Sequence, residues 1–139
     1  MKVRDMMHKG AESVAPNAKL QAIAKKMRDF DIGAIPVCEG GKTIGMVTDR
    51  DIAIRALADG KDLSEVEARD VMSRNLIFCR DSEEAEDALR IMENKKIRRL
   101  PVLDDNEKLV GMVSLGDISH ALSRELTGEV TKAVSAHHT

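Results

Sequence analysis

Two stretches of this chain hold residues whose types and spacing could do chemistry. One is Gly45-Met46-Val47-Thr48-Asp49-Arg50-Asp51, the other Gly111-Met112-Val113-Ser114-Leu115-Gly116-Asp117. Each runs glycine, two apolar residues, a hydroxyl residue, two residues of any type, then an aspartate. The apolar residues up to Val47 and Val113 read as the end of a short buried strand. The residues beyond (Ile52, Ile54, Leu57 and Ala58; Ile118, Ala121 and Leu122) read as a helix. Thr48 and Ser114 therefore stand where a helix begins, each with an acid three residues on, and two readings fit. Hydroxyl and acid can close a capping box on the backbone. The same geometry also suits a nucleotide: unpaired amides at a helix start attract anions, the hydroxyl can donate to a phosphate, and the carboxylate can accept both hydroxyls of a ribose. Gly45 and Gly111 would let a flat ring approach the backbone. One copy would favour the cap; recurrence in two matched places favours a ligand.

The elements that must position these residues recur with them. Arg4-Asp5-Met6-Met7 matches Arg69-Asp70-Val71-Met72, and Ile35-Pro36-Val37 matches Leu100-Pro101-Val102, both at an offset of 65 residues. Leu20, Ile23, Ala24 and Met27 match Ala85, Ala88, Leu89 and Met92 at the same offset, while Gly45 and Asp51 match Gly111 and Asp117 at 66. The chain is a duplication, and its extra residue falls in a turn, where an insertion harms least. The first half predicts a strand at 13–16, a helix over 18–30, strands from Ala34 to Cys38 and Thr43 to Val47 around the turn Glu39-Gly40-Gly41-Lys42, and a helix from Asp49 to near Gly60. The second predicts a strand at 76–79, a helix at 83–95, strands at 99–103 and 108–113, and a helix at 115–125. The expected organisation is a first repeat at 1–60, a linker at 61–67, a second repeat at 68–127 and a loosely held tail at 128–139. The fold class is α/β (α+β): two β-α-β-β-α units related by a pseudo-twofold axis, sheets face to face and helices outside. A unit of about 60 residues buries too little apolar surface to stand comfortably alone, so the halves share a core.

Composition narrows the function. Lys+Arg of 22 against Asp+Glu of 24 gives a net charge of −2 with no block of one sign, which is no footprint for DNA or RNA. Two Phe without Tyr or Trp leave little on which to stack bases. No apolar run could span a bilayer, Met1-Lys2-Val3-Arg4-Asp5 is no signal peptide, and two lone cysteines make no disulfide framework, so a reduced cytoplasmic setting is expected.

The motifs together resemble a tandem pair of CBS (cystathionine-β-synthase) domains, a Bateman module, and in particular small stand-alone bacterial proteins of that kind. The resemblance rests on Arg4-Asp5-Met6-Met7, Ile32-Gly33-Ala34-Ile35-Pro36-Val37 and Gly45 to Ile52 in the first half. In the second it rests on Ala68-Arg69-Asp70-Val71-Met72, Ile97-Arg98-Arg99-Leu100-Pro101-Val102 and Gly111 to Ile118, so that it covers about residues 1–125. It implies a binding module for adenosyl ligands (AMP, ADP, ATP, S-adenosylmethionine or NAD(H)), with up to two sites between the repeats and no catalytic cofactor. The ligand would be an adenine nucleotide, alone or with Mg. By the family pattern Asp51 and Asp117 would hold ribose, and Thr48 and Ser114 would reach phosphate. Pro16, Ile35 and Pro36, with Ile77, Phe78, Cys79, Leu100 and Pro101, would enclose the base. Arg98 and Arg99 would be phosphate ligands, for the site whose aspartate lies in the other repeat. Such modules usually dimerise, so a homodimer is expected.

The repeats differ chemically. Arg98-Arg99 replaces Gly33-Ala34, and Arg50 stands where the second repeat has Gly116. Two unequal sites follow, with a polyphosphate preferring the one that gathers the arginines, unless these arginines merely pair with nearby acids. His8 and His120 lack ligands at metal spacing, His137 and His138 lie in the tail, and Cys38 and Cys79 read as small buried apolar residues. No nucleophile comes with a base and orienter, so no enzyme is expected. The leading expectation is a nucleotide-binding regulator acting on a protein in trans, because residues 1–139 carry no catalytic or transport domain. The alternative is a dimerisation and assembly module with vestigial clefts. An enzyme acting on a nucleotide comes third and nucleic-acid binding a distant fourth.

Overall fold

The computed structural model describes residues 1–125. The tail at 128–139, with His137 and His138, lies outside the described residues. A 3-10 turn at Val3–Asp5 precedes β1 (His8–Lys9), α1 (Leu20–Asp29), β2 (Ala34–Glu39) and β3 (Lys42–Thr48). Then come α2 (Asp49–Asp51), continued by π-helix at Ile52–Leu57, and α3 (Ala68–Val71). The second repeat continues with β4 (Cys79–Arg80), α4 (Ala85–Lys95), β5 (Arg99–Leu103), β6 (Leu109–Ser114) and a helix over 115–125, here α5. No helix among the described residues is long and apolar enough to cross a membrane.

Two antiparallel hairpins, β2–β3 and β5–β6, form the centres of the two sheets, each with a bulge at the same place, after Val37 and after Val102. Gly40 and Gly41 both have positive φ, as a two-residue turn of matching twist requires. In the second repeat Asp104 makes the longer turn by accepting from the amides of Asn106 and Lys108.

Each hairpin gains a neighbour from the start of its own repeat and another from the start of the other repeat. Val14 bridges Val37 in parallel, and β4 pairs with β5 in parallel. Ser73 bridges Met46 beside β3, while β1 pairs with β6. The leading segments are thus exchanged between the repeats. The cores record the exchange. Val66, Ala68, Val71 and Met72 pack with Leu20, Ile23, Ile35 and Val47, whereas Val3, Met6 and Met7 pack with Leu100, Val102, Val113 and Ile118. Residues 61–67 take part as well, since the amide of Leu20 donates to the carbonyl of Val66.

Three departures from the sequence reading have physical causes. The strands expected at 13–16 and 76–79 shrink to Val14 and Cys79–Arg80. Val14 donates to the Pro36 carbonyl and accepts from the Cys38 amide, but Pro36 has no N–H with which to continue the ladder toward residue 12. Pro101 stands one residue before Val102, the partner of Cys79, and imposes the same limit on residue 77. The helix after Asp49 is mostly π-helical, with the amide of Ala58 on the carbonyl of Ala53 and that of Lys61 on Ala56. This wider winding buries Ala56 and leaves Ile54 and Leu57 46% and 64% exposed. The elements β1 and α3 had escaped the sequence reading because segments of two and four residues carry no periodicity.

Candidate functional site

The start of each motif helix is pinned to the strand beside it. The Asp49 amide donates to the Gly33 carbonyl at 2.9 Å, and the Leu115 amide to the Arg98 carbonyl at 2.8 Å. Both capping boxes are formed. Thr48 Oγ1 accepts from the Asp51 amide at 3.1 Å while Asp51 Oδ2 accepts from the Thr48 amide at 2.9 Å. Ser114 and Asp117 repeat the exchange at 3.0 and 2.9 Å. Capping therefore occupies one carboxylate oxygen of each aspartate and leaves the other for a second partner. Asp51 Oδ1 lies 3.8 Å from Arg55 Nε, and Asp117 Oδ1 lies 3.0 Å from His8 Nε2.

Each motif lines a cleft whose walls come from both repeats. The first cleft, of about 620 Å³, holds Thr48, Arg50, Asp51 and Arg55 against Arg98, Arg99 and Pro101. Met46, Ile77 and Ile97 supply apolar wall, and Ser73 and Asn75 come from the exchanged segment. The second, of about 510 Å³, holds Ser114, Asp117 and Arg99, walled by Phe30, Ile32 and Met112, with His8 and Lys9 from the other exchanged segment. Arg98 thus shares a cleft with the aspartate of the opposite repeat, and Arg99 shares one with each aspartate. Neither forms an ion pair with an acid among the described residues, so their charge is open to a ligand.

The clefts are electrostatically opposite. Four arginines (Arg50, Arg55, Arg98, Arg99) outweigh Asp49 and Asp51 in the first. In the second, Lys9 and Arg99 meet Glu12, Asp31 and Asp117. An anionic ligand is better matched to the first.

Several residues named from the sequence line neither cleft. Ile35 and Leu100 are fully buried in the two cores, and Pro36, on the opposite face of β2 from Ile35, is fully buried as well. Pro16 is half-buried and accepts from the Arg69 amide through its carbonyl. Phe78 lies under the guanidinium of Arg80, 5.4 Å from the ring centroid. Gly45 and Gly111 mark crossings of backbone. A Cβ on Gly45 would lie 2.8 Å from the Ser73 carbonyl oxygen, and one on Gly111 2.5 Å from that of His8. The sequence reading missed Arg55, legible as the residue one turn beyond Asp51, and His8, for which no sequence signal existed because the exchanged segment brings it from the far end of the chain.

Cys79 offers no reactive thiolate. Burial pushes the Cys79 thiol up to about 12, with the nearby Glu83 charge adding to the shift. Cys38 is half-buried rather than buried as expected, its Sγ 3.5 Å from Thr43 Oγ1. His120 is exposed. Among the described residues no cluster of His, Cys, Asp and Glu could hold a metal ion.

Comparison with known proteins gives this arrangement its context. The CBS domain family matches twice, at residues 3–57 and 68–124. The CBS domain-containing protein YhcV of Bacillus subtilis is 40% identical over 134 residues, covering 96% of this chain and 94% of that protein. The CBS domain pair of protein MJ0100, solved with 5-methylthioadenosine and S-adenosyl-L-methionine, superposes with a TM-score of 0.80 at 28% identity, covering 90% of this chain and 98% of that one. CBSX2, solved with AMP, superposes with a TM-score of 0.77 at 25% identity, covering 88% of this chain and 96% of that one. With its two matched repeats, exchanged leading segments and shared fold, this chain belongs to the CBS domain family as a tandem pair.

Proposed function

We propose that this protein is a regulatory module that binds an adenine nucleotide in the first cleft and acts on a partner protein in trans, without catalysis of its own. The observation that carries the reading is the gathering of Arg50, Arg55, Arg98 and Arg99 in one cleft with Asp51, whose Oδ1 the capping box leaves unused. A ribose on Asp51 Oδ1 and phosphate on Thr48 and the arginines would use groups that the fold leaves underemployed. Support also comes from the adenosyl ligands in the solved relatives. The second cleft would take a less highly charged adenosyl ligand on Asp117 and Ser114. Regulation would follow if the ligand binds one relative setting of the repeats better than another.

A second reading, an assembly module with vestigial clefts, is favoured by a different observation. Ile54 and Leu57 on the helix after Asp51, and Leu115 on α5, are exposed apolar residues suited to a homodimer contact. Dimerisation is compatible with both readings; only ligand binding separates them.

The test is thermal unfolding with AMP, ADP, ATP (with and without Mg), NADH and S-adenosylmethionine, on the wild type, Asp51→Ala and Asp117→Ala. A ligand at about 100 times its Kd adds roughly 2.7 kcal/mol, a rise of several degrees. The expected result is a rise with a phosphate-bearing ligand that Asp51→Ala weakens more than Asp117→Ala does. A flat panel would leave the assembly module standing.

A further inference from the structure

Positions 34 and 99 are equivalent in the two repeats: each opens the first strand of its hairpin, and each is paired with the motif hydroxyl residue, Ala34 with Thr48 and Arg99 with Ser114. Among the described residues Ala34 and Arg99 alone line both clefts, so they mark the seam where the clefts approach each other. One position at that seam carries a guanidinium and the other a methyl group. We propose that the two clefts share Arg99, so that a phosphate-bearing ligand in one cleft weakens the binding of a phosphate-bearing ligand in the other. This rests on the nucleotide reading above and concerns how its two sites are coupled.

The local packing leaves the guanidinium free to serve either side. Arg99 is exposed and forms no ion pair among the described residues. Its Nη1 abuts Gly33, where an added Cβ would meet both Nη1 and Asp49 Oδ2 at 3.0 Å. Glycine at 33 therefore makes the room through which Arg99 reaches toward the first cleft, while its strand pairing holds its backbone beside Ser114 of the second. Demand is unequal. Among the described residues the first cleft has three further arginines, whereas in the second, once Arg99 is engaged elsewhere, Lys9 is the one lysine or arginine facing three carboxylates. A phosphate in the first cleft that draws Arg99 across leaves the second unable to hold another. A planar fork of donors commits to one phosphate at a time.

The test is calorimetric titration with AMP of the wild type, Asp51→Ala, Arg99→Ala and the double variant. Asp51→Ala closes the first cleft and releases Arg99. Sharing predicts that the remaining second-cleft site then binds AMP roughly ten-fold or more tightly than the weak step of the wild type, the scale of one charge-assisted hydrogen bond. In the Arg99→Ala background the same closure should bring no such gain. Ala34→Arg, which supplies the seam with a second guanidinium, should raise the weak step without closing anything, and adenosine, lacking phosphate, should fill both clefts without interference. Equal weak-step affinity with and without Asp51→Ala would overturn the proposal, as would a second cleft that takes no AMP in Asp51→Ala. A gain that persists or grows in the Arg99→Ala background would also overturn it, since that is the mark of simple repulsion between phosphates. Absence of AMP binding to the wild type would instead sink the nucleotide reading itself, and the proposal with it.

Discussion

Replacing Gly111 by alanine separates two uses of a glycine that look alike in sequence. If the glycine serves a bound ring, the substitution should spare stability and harm binding. The structure gives a different expectation. The new Cβ would lie 2.5 Å from the His8 carbonyl oxygen and 2.8 Å from Met7 Sδ, where ordinary contact begins near 3.4 Å. The methionine can swing aside. The carbonyl belongs to β1, whose register sets Lys9 opposite Gly111, and it can retreat by about 0.9 Å only by loosening that pairing. Overpacking of this kind costs about 1–3 kcal/mol. At roughly 3–5 °C per kcal/mol for a chain of this size, Tm should fall by about 3–15 °C in thermal unfolding followed by circular dichroism. Gly45→Ala should act in the same direction and more weakly, its nearest backbone atom being 2.8 Å away. Gly116→Ala is the control from the same motif. Among the described residues its Cβ would meet only Ser114 Oγ, at 3.6 Å, and alanine in a helix gains about 0.5–1 kcal/mol over glycine, so Tm should rise. An unchanged Tm for Gly111→Ala would refute the crossing argument, and loss of AMP binding alongside it would restore the ring.

Three further outcomes follow from other parts of the fold. Lys96 ends α4 in the left-handed region at φ 56°, so Lys96→Gly should stabilise by about 0.5–1 kcal/mol, read from the urea midpoint. Val3 is fully buried in the core of the second repeat, and Val3→Ala should cost about 1–3 kcal/mol; native-state hydrogen exchange should show faster opening at β6 than at β3, whereas uniform loosening would contradict the exchanged packing. Because the Cys79 pKa is raised from 9.0 to about 12, its contribution to stability is complete below pH 9 and is lost as pH rises toward 12. The wild type should therefore lose stability over that window by up to about 1.4 kcal/mol per pH unit relative to Cys79→Val, the residue type present at the equivalent Val14, and an equal pH profile for the two would refute the buried neutral thiol.

What the sequence made legible was whatever repeats or alternates. The helices α1 and α4 and the hairpins β2–β3 and β5–β6 stand within a few residues of their expected places, since helical periodicity and the Gly-Gly and Asp-Asn turn residues act locally. The capping boxes were legible for the same reason. What stayed hidden depends on contacts far apart in the chain: β1 against β6, Ser73 against Met46, and His8 on Asp117. Of the residues expected around a ligand, Thr48, Asp51, Arg98 and Arg99 do come together, but Ile35 and Leu100 look like cleft residues only until the strand's facing is known. Apolarity alone does not say whether a side chain points to the core or to the seam.

The exchange of leading segments also bears on how a cleft could signal. Ser73 and Asn75 enter the first cleft only because the segment leading the second repeat lies against β3. Arg55 ties that segment down: its Nη1 donates to the carbonyl of Met72 at 3.3 Å, while its Nε lies 3.8 Å from Asp51 Oδ1. A ribose that takes Asp51 Oδ1, or a phosphate that takes the guanidinium, competes with a contact that holds the two repeats together. The second cleft has the same logic with different groups, because a ribose on Asp117 must displace His8 of the other exchanged segment. Ligand binding would therefore redistribute contacts at the exchanged segments rather than inside either hairpin, and those segments are where a conformational response should be sought.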